Sequence, residues 1–82
     1  MRSPAIDSSV EFIQGTLQRI DIVCREVVVR IDGAWMCFDV PSDCAIFLNR
    51  ERVKLRLLQP TDRVRVAYND EQGRHRARVI EA

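Results

Sequence analysis

Nine of the thirteen Lys and Arg residues fall between positions 50 and 78: Arg50, Arg52, Lys54, Arg56, Arg63, Arg65, Arg74, Arg76 and Arg78. Only Glu51, Asp62, Asp70 and Glu71 oppose them, so this stretch stands at +5. Residues 1–49 run the other way, with Arg2, Arg19, Arg25 and Arg30 against seven acids, a balance of −3. A formal net charge of +1 therefore conceals a basic second half. Spacing sharpens the point. Arg63 and Arg65 alternate with Val64 and Val66, and Arg74, Arg76 and Arg78 alternate against Ala77 and Val79. If the two runs pair as strands, five guanidinium groups share one outer face. Like charges gathered there repel, and an anionic partner would relieve the repulsion. Guanidinium offers paired donors to phosphate and stacks on bases. The face is therefore a candidate contact for RNA or single-stranded DNA, with Lys54 and Arg56 beside it.

Two facts weigh against that use. Outward charges on strands also keep a sheet soluble and discourage edge pairing. Single-strand binders add aromatic platforms, whereas this chain has five aromatics, Phe12, Trp35, Phe38, Phe47 and Tyr68, of which Phe38 and Tyr68 read as core. Trp35 is the clearest exposed platform. Opposite Arg30, within cation–π reach, and beside Val28 and Cys37, it makes a small apolar strip of the kind that begins a protein-interaction patch.

Other chemistry is thin. Cys24, Cys37 and Cys44 are odd in number and contain no CxxC pair, which reads as reduced thiols in a cytoplasmic protein. One His and three scattered Cys match no zinc spacing. The single imidazole, His75, is flanked by Arg74 and Arg76, which disfavour its charged form. No nucleophile can be placed beside it, and there is no Gly-rich phosphate loop. A non-enzymatic binding module without cofactor or metal is the expectation.

The elements that must carry these groups are short strands. In 26–40, EVVVRIDGAWMCFDV, two alternating runs flank Asp32-Gly33, the strongest local signal for a two-residue hairpin. That turn pairs Ile31 with Ala34, Val29 with Met36 and Val27 with Phe38, stacking the apolar side chains on one face. Residues 11–22 form a first strand with a bulge near Gln18-Arg19, and Gly15 marks a bend or the close approach of another strand. Residues 45–53 read as a minor hairpin, and 55–59 (LRLLQ) as one helical turn stopped by Pro60. Strands 63–68 and 74–80 follow, joined by a loop over 69–73, with Ala77 and Val79 inward and Ile80 curling over the end. Residues 1–10 read as a flexible tail before a single domain, 11–82. There is no apolar run of membrane-spanning length and no signal-peptide core. Closely spaced short strands predict an all-β, five- or six-stranded OB-like (or SH3-like) barrel with one short helical turn.

The segments GTLQRID, LNRERVKLRLLQPTDRVRVAYN and RHRARVIEA resemble small bacterial OB-like domains of unassigned function. The resemblance implies a fold rather than a job. Thr61 stands where such domains commonly carry Gly, so a different turn is expected before Asp62. The layout is also similar to periplasmic copper chaperones of OB fold, which implies Cu(I) held by a strand-two His and two Met under a Trp. Trp35-Met36-Cys37 falls on the corresponding strand, and thioether with thiolate suits Cu(I). Strand two, EVVVRI, has no His, the second Met is missing, and Met36 turns inward while Trp35 and Cys37 turn outward. The resemblance carries the layout without the ligand set.

Overall fold

Two residues with positive φ, Asp32 at 49° and Gly33 at 82°, reverse the chain in the left-handed backbone conformation that a tight hairpin turn needs. Around them lie β2 (Glu26–Ile31) and β3 (Ala34–Asp39), in the expected register: Ile31 opposite Ala34, Val29 opposite Met36, Val27 opposite Phe38. The structure is a computed structural model that describes residues 10–82, so the expected N-terminal tail lies outside the described residues except for Val10. The other strands are β1 (Glu11–Asp21), β4 (Ala45–Leu48), β5 (Glu51–Arg52), β6 (Arg63–Glu71) and β7 (Arg74–Glu81). Among the described residues a single 3₁₀ turn, Leu55–Leu57, stands where the helical turn before Pro60 is expected. No helix among the described residues is long and apolar enough to cross a membrane.

Strand order is β3-β2-β1-β6-β7, and β3 meets β7 in parallel at Asp39 and Arg76, which closes a five-stranded barrel. A first strand paired on both sides and a parallel closure give the OB-like arrangement, which the sequence left open against an SH3-like one. Further along, β7 exchanges β3 for β4, which carries the two-residue β5 as the minor hairpin. Inside, Leu17, Val27, Val29, Phe38, Val40, Val66 and Ile80 are fully buried. Each such side chain contributes about 2 kcal/mol relative to exposure. The bulge in β1 falls between Leu17 and Arg19 as expected. Gly15 owes its presence to close approach: an added Cβ would overlap the carbonyl oxygen of Arg30.

Two expectations at the C-terminal hairpin need correction. The predicted loop over 69–73 is mostly strand, because only Gln72 (φ 54°) and Gly73 (φ 78°) are needed to reverse the chain. Asn69, Asp70 and Glu71 continue the ladder opposite Arg76, His75 and Arg74. The second concerns alternation. A register shift between Ala67 and Tyr68 leaves Arg78 as an extra residue in β7. Beyond it the faces exchange: Ile80 is fully buried, and Val79 is only half-buried beside Ala67.

Thr61 is a third departure. Its φ of 79° is the left-handed conformation that glycine adopts without strain, so the turn keeps the glycine-type backbone despite the β-branched side chain. Two bonds to β1 hold it there: Thr61 N–H donates to Leu17 O (2.7 Å) and Leu17 N–H donates to Asp62 O (2.8 Å). Thr61→Gly should therefore stabilise the fold by about 1 kcal/mol, strain relief exceeding the added chain entropy. Urea unfolding checks this, and a lower midpoint in the variant would show that the turn is not strained.

Candidate functional site

The five arginines of β6 and β7 do not form a free face, and this corrects the expectation drawn from their spacing. Arg74 makes a two-pronged bond to Asp39, Nε to Oδ2 at 2.6 Å and Nη2 to Oδ1 at 2.7 Å, with Glu26 3.8 Å away. Asp39 is held below the usual carboxylate range by this guanidinium. Arg76 pairs with Glu71 at 3.1 Å. Arg78 donates to Asn69 Oδ1 (2.9 Å) and also reaches Glu71 (3.2 Å). Arg65 lies over the ring of Phe12, 4.9 Å from its centroid, and sits opposite Glu81. Of the five, Arg63 alone has no side-chain partner among the described residues. The missing signal was the acids on β6 and β3, which strand pairing brings across from the basic runs. Lys54 lines a separate cleft with Arg25 and Arg52, and Arg56 is exposed on the 3₁₀ turn.

A more chemically varied site lies between β3 and the β6–β7 turn. Beyond the single bridge at Asp39, β3 and β7 diverge, and a groove of about 360 Å³ opens along the edge of β3. Trp35, Met36, Cys37 and His75 line it, with the Asp39–Arg74–Glu26 cluster at one end. Trp35, 64 % exposed, stands across from Arg30 as the register required. The expected Arg30–Trp35 cation–π contact is not formed, and the one among the described residues is that of Arg65 on Phe12. Cys37 is exposed, and Met36 is half-buried against the core.

His75, set aside in the sequence because no partner could be placed beside it, lines this groove. Its pairing with Asp70 places the ring at the mouth of the barrel, 5.8 Å from Phe38 and 5.3 Å from Tyr68, centroid to centroid. Nδ1 contacts Asp70 Oδ1. A carboxylate on Nδ1 selects the tautomer whose Nε2 lone pair is free, the arrangement that orients ligating histidines elsewhere. The only sequence signal was the turn at Gln72-Gly73, which would have set Asp70 opposite His75 had 69–71 been read as strand.

The fold is shared with CusF. CusF from Escherichia coli, solved at 1.0 Å as a tryptophan-to-alanine variant with Cu(II), superposes with a TM-score of 0.68 at 12 % identity. The match covers 88 % of this chain and 89 % of that one. A silver(I) form of CusF gives 0.65 at 13 % identity, covering 87 % and 93 %. No family model matches the sequence, and no curated protein matches it either. Likeness at this identity establishes the barrel and nothing about the ligand. In this barrel β2 turns Val27 and Val29 into the core, and the imidazole of the groove comes from β7 instead.

Two of the three thiols are raised, for different reasons. Cys44 is 5 % exposed, and burial pushes its thiol up to about 11 against the pull of nearby arginines. Cys24 sits in the β1–β2 turn, where the Asp21 carboxylate raises its thiol. With a disulfide reagent at pH 8, Cys37 should react first, Cys24 more slowly, and Cys44 only on unfolding. Mass-spectrometric mapping at short times checks the order, and early modification of Cys44 would refute its burial.

Proposed function

We propose that this barrel is a binding module for a soft monovalent metal ion, Cu(I) or Ag(I), held in the groove between β3 and the β6–β7 turn. The observation that carries the reading is that Cys37, Met36 and His75, which bear a thiol, a thioether and an imidazole, all line that one groove, Met36 from the core side of β3 and Cys37 from its outer face. Thiolate and thioether favour Cu(I) and Ag(I) over harder ions, and imidazole completes a low-coordinate set. Among the described residues no three His, Cys, Asp or Glu side chains group as a metal cluster.

Electrostatics fit a monovalent cation. Arg74 contributes one positive charge to the groove, but Asp39 and Glu26 contribute two negative ones, leaving that end at −1. Asp70 supplies the outer partner that fixes the ring of His75. The likeness to CusF, solved with copper and silver, supports the reading at the level of the barrel. The donors would differ, since the imidazole here arrives from the opposite side of the closure. Anaerobic titration with Cu(I) against a competing chelator tests it. The expected result is one ion bound per chain, an ultraviolet thiolate-to-metal band and quenching of Trp35 fluorescence. Absence of both signals at stoichiometric Cu(I) would overturn the proposal.

A further inference from the structure

On another side of the barrel, where the β1–β2 turn meets the β4–β5 hairpin, a cleft of about 360 Å³ is lined by Arg25, Arg52, Lys54 and Ser42 over Cys44. None of the three cations has an acidic partner among the described residues, in contrast to Arg74, Arg76 and Arg78. Arg25 is built into place rather than left on a free stem. Its backbone takes φ 54°, its carbonyl accepts from Val40 N–H (2.9 Å), and its Nε–H donates to Val40 O (2.8 Å). With Nε so used, the terminal nitrogens of the guanidinium carry no partner among the described residues. Arg52 is set by its pairing with Phe47, and Lys54 precedes the 3₁₀ turn.

We infer that this cleft binds a phosphate group, held between the Arg25 and Arg52 guanidiniums, with Lys54 as a third charge and the Ser42 hydroxyl as a neutral donor. Guanidinium presents paired donors that match two oxygens of a tetrahedral oxyanion, and two from different elements grip such a group from two sides. Asp43 is the acid that acts on Cys44 at this end, so the local balance stays positive. A doubly charged phosphate suits that excess better than a carboxylate. The volume exceeds a lone phosphate, which favours a phosphorylated small molecule over the free ion. Nothing in this site depends on the metal groove, whose lining residues are all different.

The test is amide and arginine side-chain NMR of the full chain during titration with inorganic phosphate, at ionic strength held constant with chloride. Saturable shifts at Arg25, Ser42, Arg52 and Lys54 are expected. Ribose 5-phosphate in a second arm, with ribose as its control, separates the two sources: tighter binding than phosphate assigns a phosphorylated small molecule, and equal binding assigns the free ion. Arg52→Gln and Lys54→Gln are exposed substitutions that leave the Arg25 clamp intact. Each should weaken binding about tenfold, the effect of losing one charge-assisted contact. Arg63→Gln should change nothing. Shifts that grow linearly without saturating, or affinity unaltered in both variants, would overturn the site. So would a single-stranded oligonucleotide whose shifts gather on Arg63 and Arg65 while phosphate leaves the cleft unmoved.

Discussion

Replacing Gly15 by alanine is expected to destabilise the barrel by about 3 kcal/mol, the upper end of what overpacking costs in a well-filled interior. The new methyl would overlap the carbonyl oxygen of Arg30 and lie 2.8 Å from Val29 Cγ1 and 2.9 Å from Ile31 Cγ1. Side chains can rotate out of the way; a carbonyl in a ladder cannot. Thr16 pairs with Arg30 on one side while Gly15 pairs with Val64 on the other, so β1 is pinned between β2 and β6. Relief would require opening one of the two ladders, and Val29 is itself in the fully buried core. Urea unfolding should show a lower midpoint at unchanged slope. Gly33→Ala and Gly73→Ala are the controls. Nothing lies within 4 Å of a Cβ at either, and only their φ of 82° and 78° opposes a side chain. Those variants should each cost about 1 kcal/mol. A Gly15→Ala loss no larger than theirs would mean that the strands part easily at this point.

That contrast also marks how far the chain could be read without its structure. The hairpin at Asp32-Gly33 was legible to the individual pair, because turn type and two-residue alternation both act over a few residues. So were the bulge after Leu17, the crowding at Gly15 and the turn before Pro60. What failed was alternation carried past an irregularity. Arg78 interrupts β7, and from there the pattern reports the wrong face for Val79. The site failed for a different reason. Arg74 and Asp39 are far apart in sequence, and their pairing follows from a parallel closure that no local signal announces. The basic half of the chain read as an unsatisfied surface for that reason, and because Glu71, read as loop, is strand and meets Arg76 and Arg78. The same closure brings His75 to the groove of Cys37, a juxtaposition invisible to any search for ligands on one strand.

The second large effect concerns that groove. Cys37→Ser should lower Cu(I) affinity about 100-fold or more and abolish the ultraviolet band, since an alcohol is a poor donor to a soft ion. Cys24→Ser should leave both intact, Cys24 lying in the β1–β2 turn and outside the groove. His75 is harder to test alone because it packs against Phe38 and Tyr68, and its removal disturbs the barrel mouth. Asp70→Asn avoids this. It keeps the size of the partner but removes the charge that orients the ring, and a loss of about tenfold is expected, as for outer partners of ligating histidines. Acidification should weaken binding in every variant that retains Cys37, because the ion displaces the thiol proton. If Asp70→Asn binds as tightly as the parent while Cys37→Ser does not, the sulfur alone captures the ion and His75 is a packing residue. If Cys37→Ser itself retains full affinity, the metal lies elsewhere on the chain, and the groove beside Trp35 has to be explained by some other ligand.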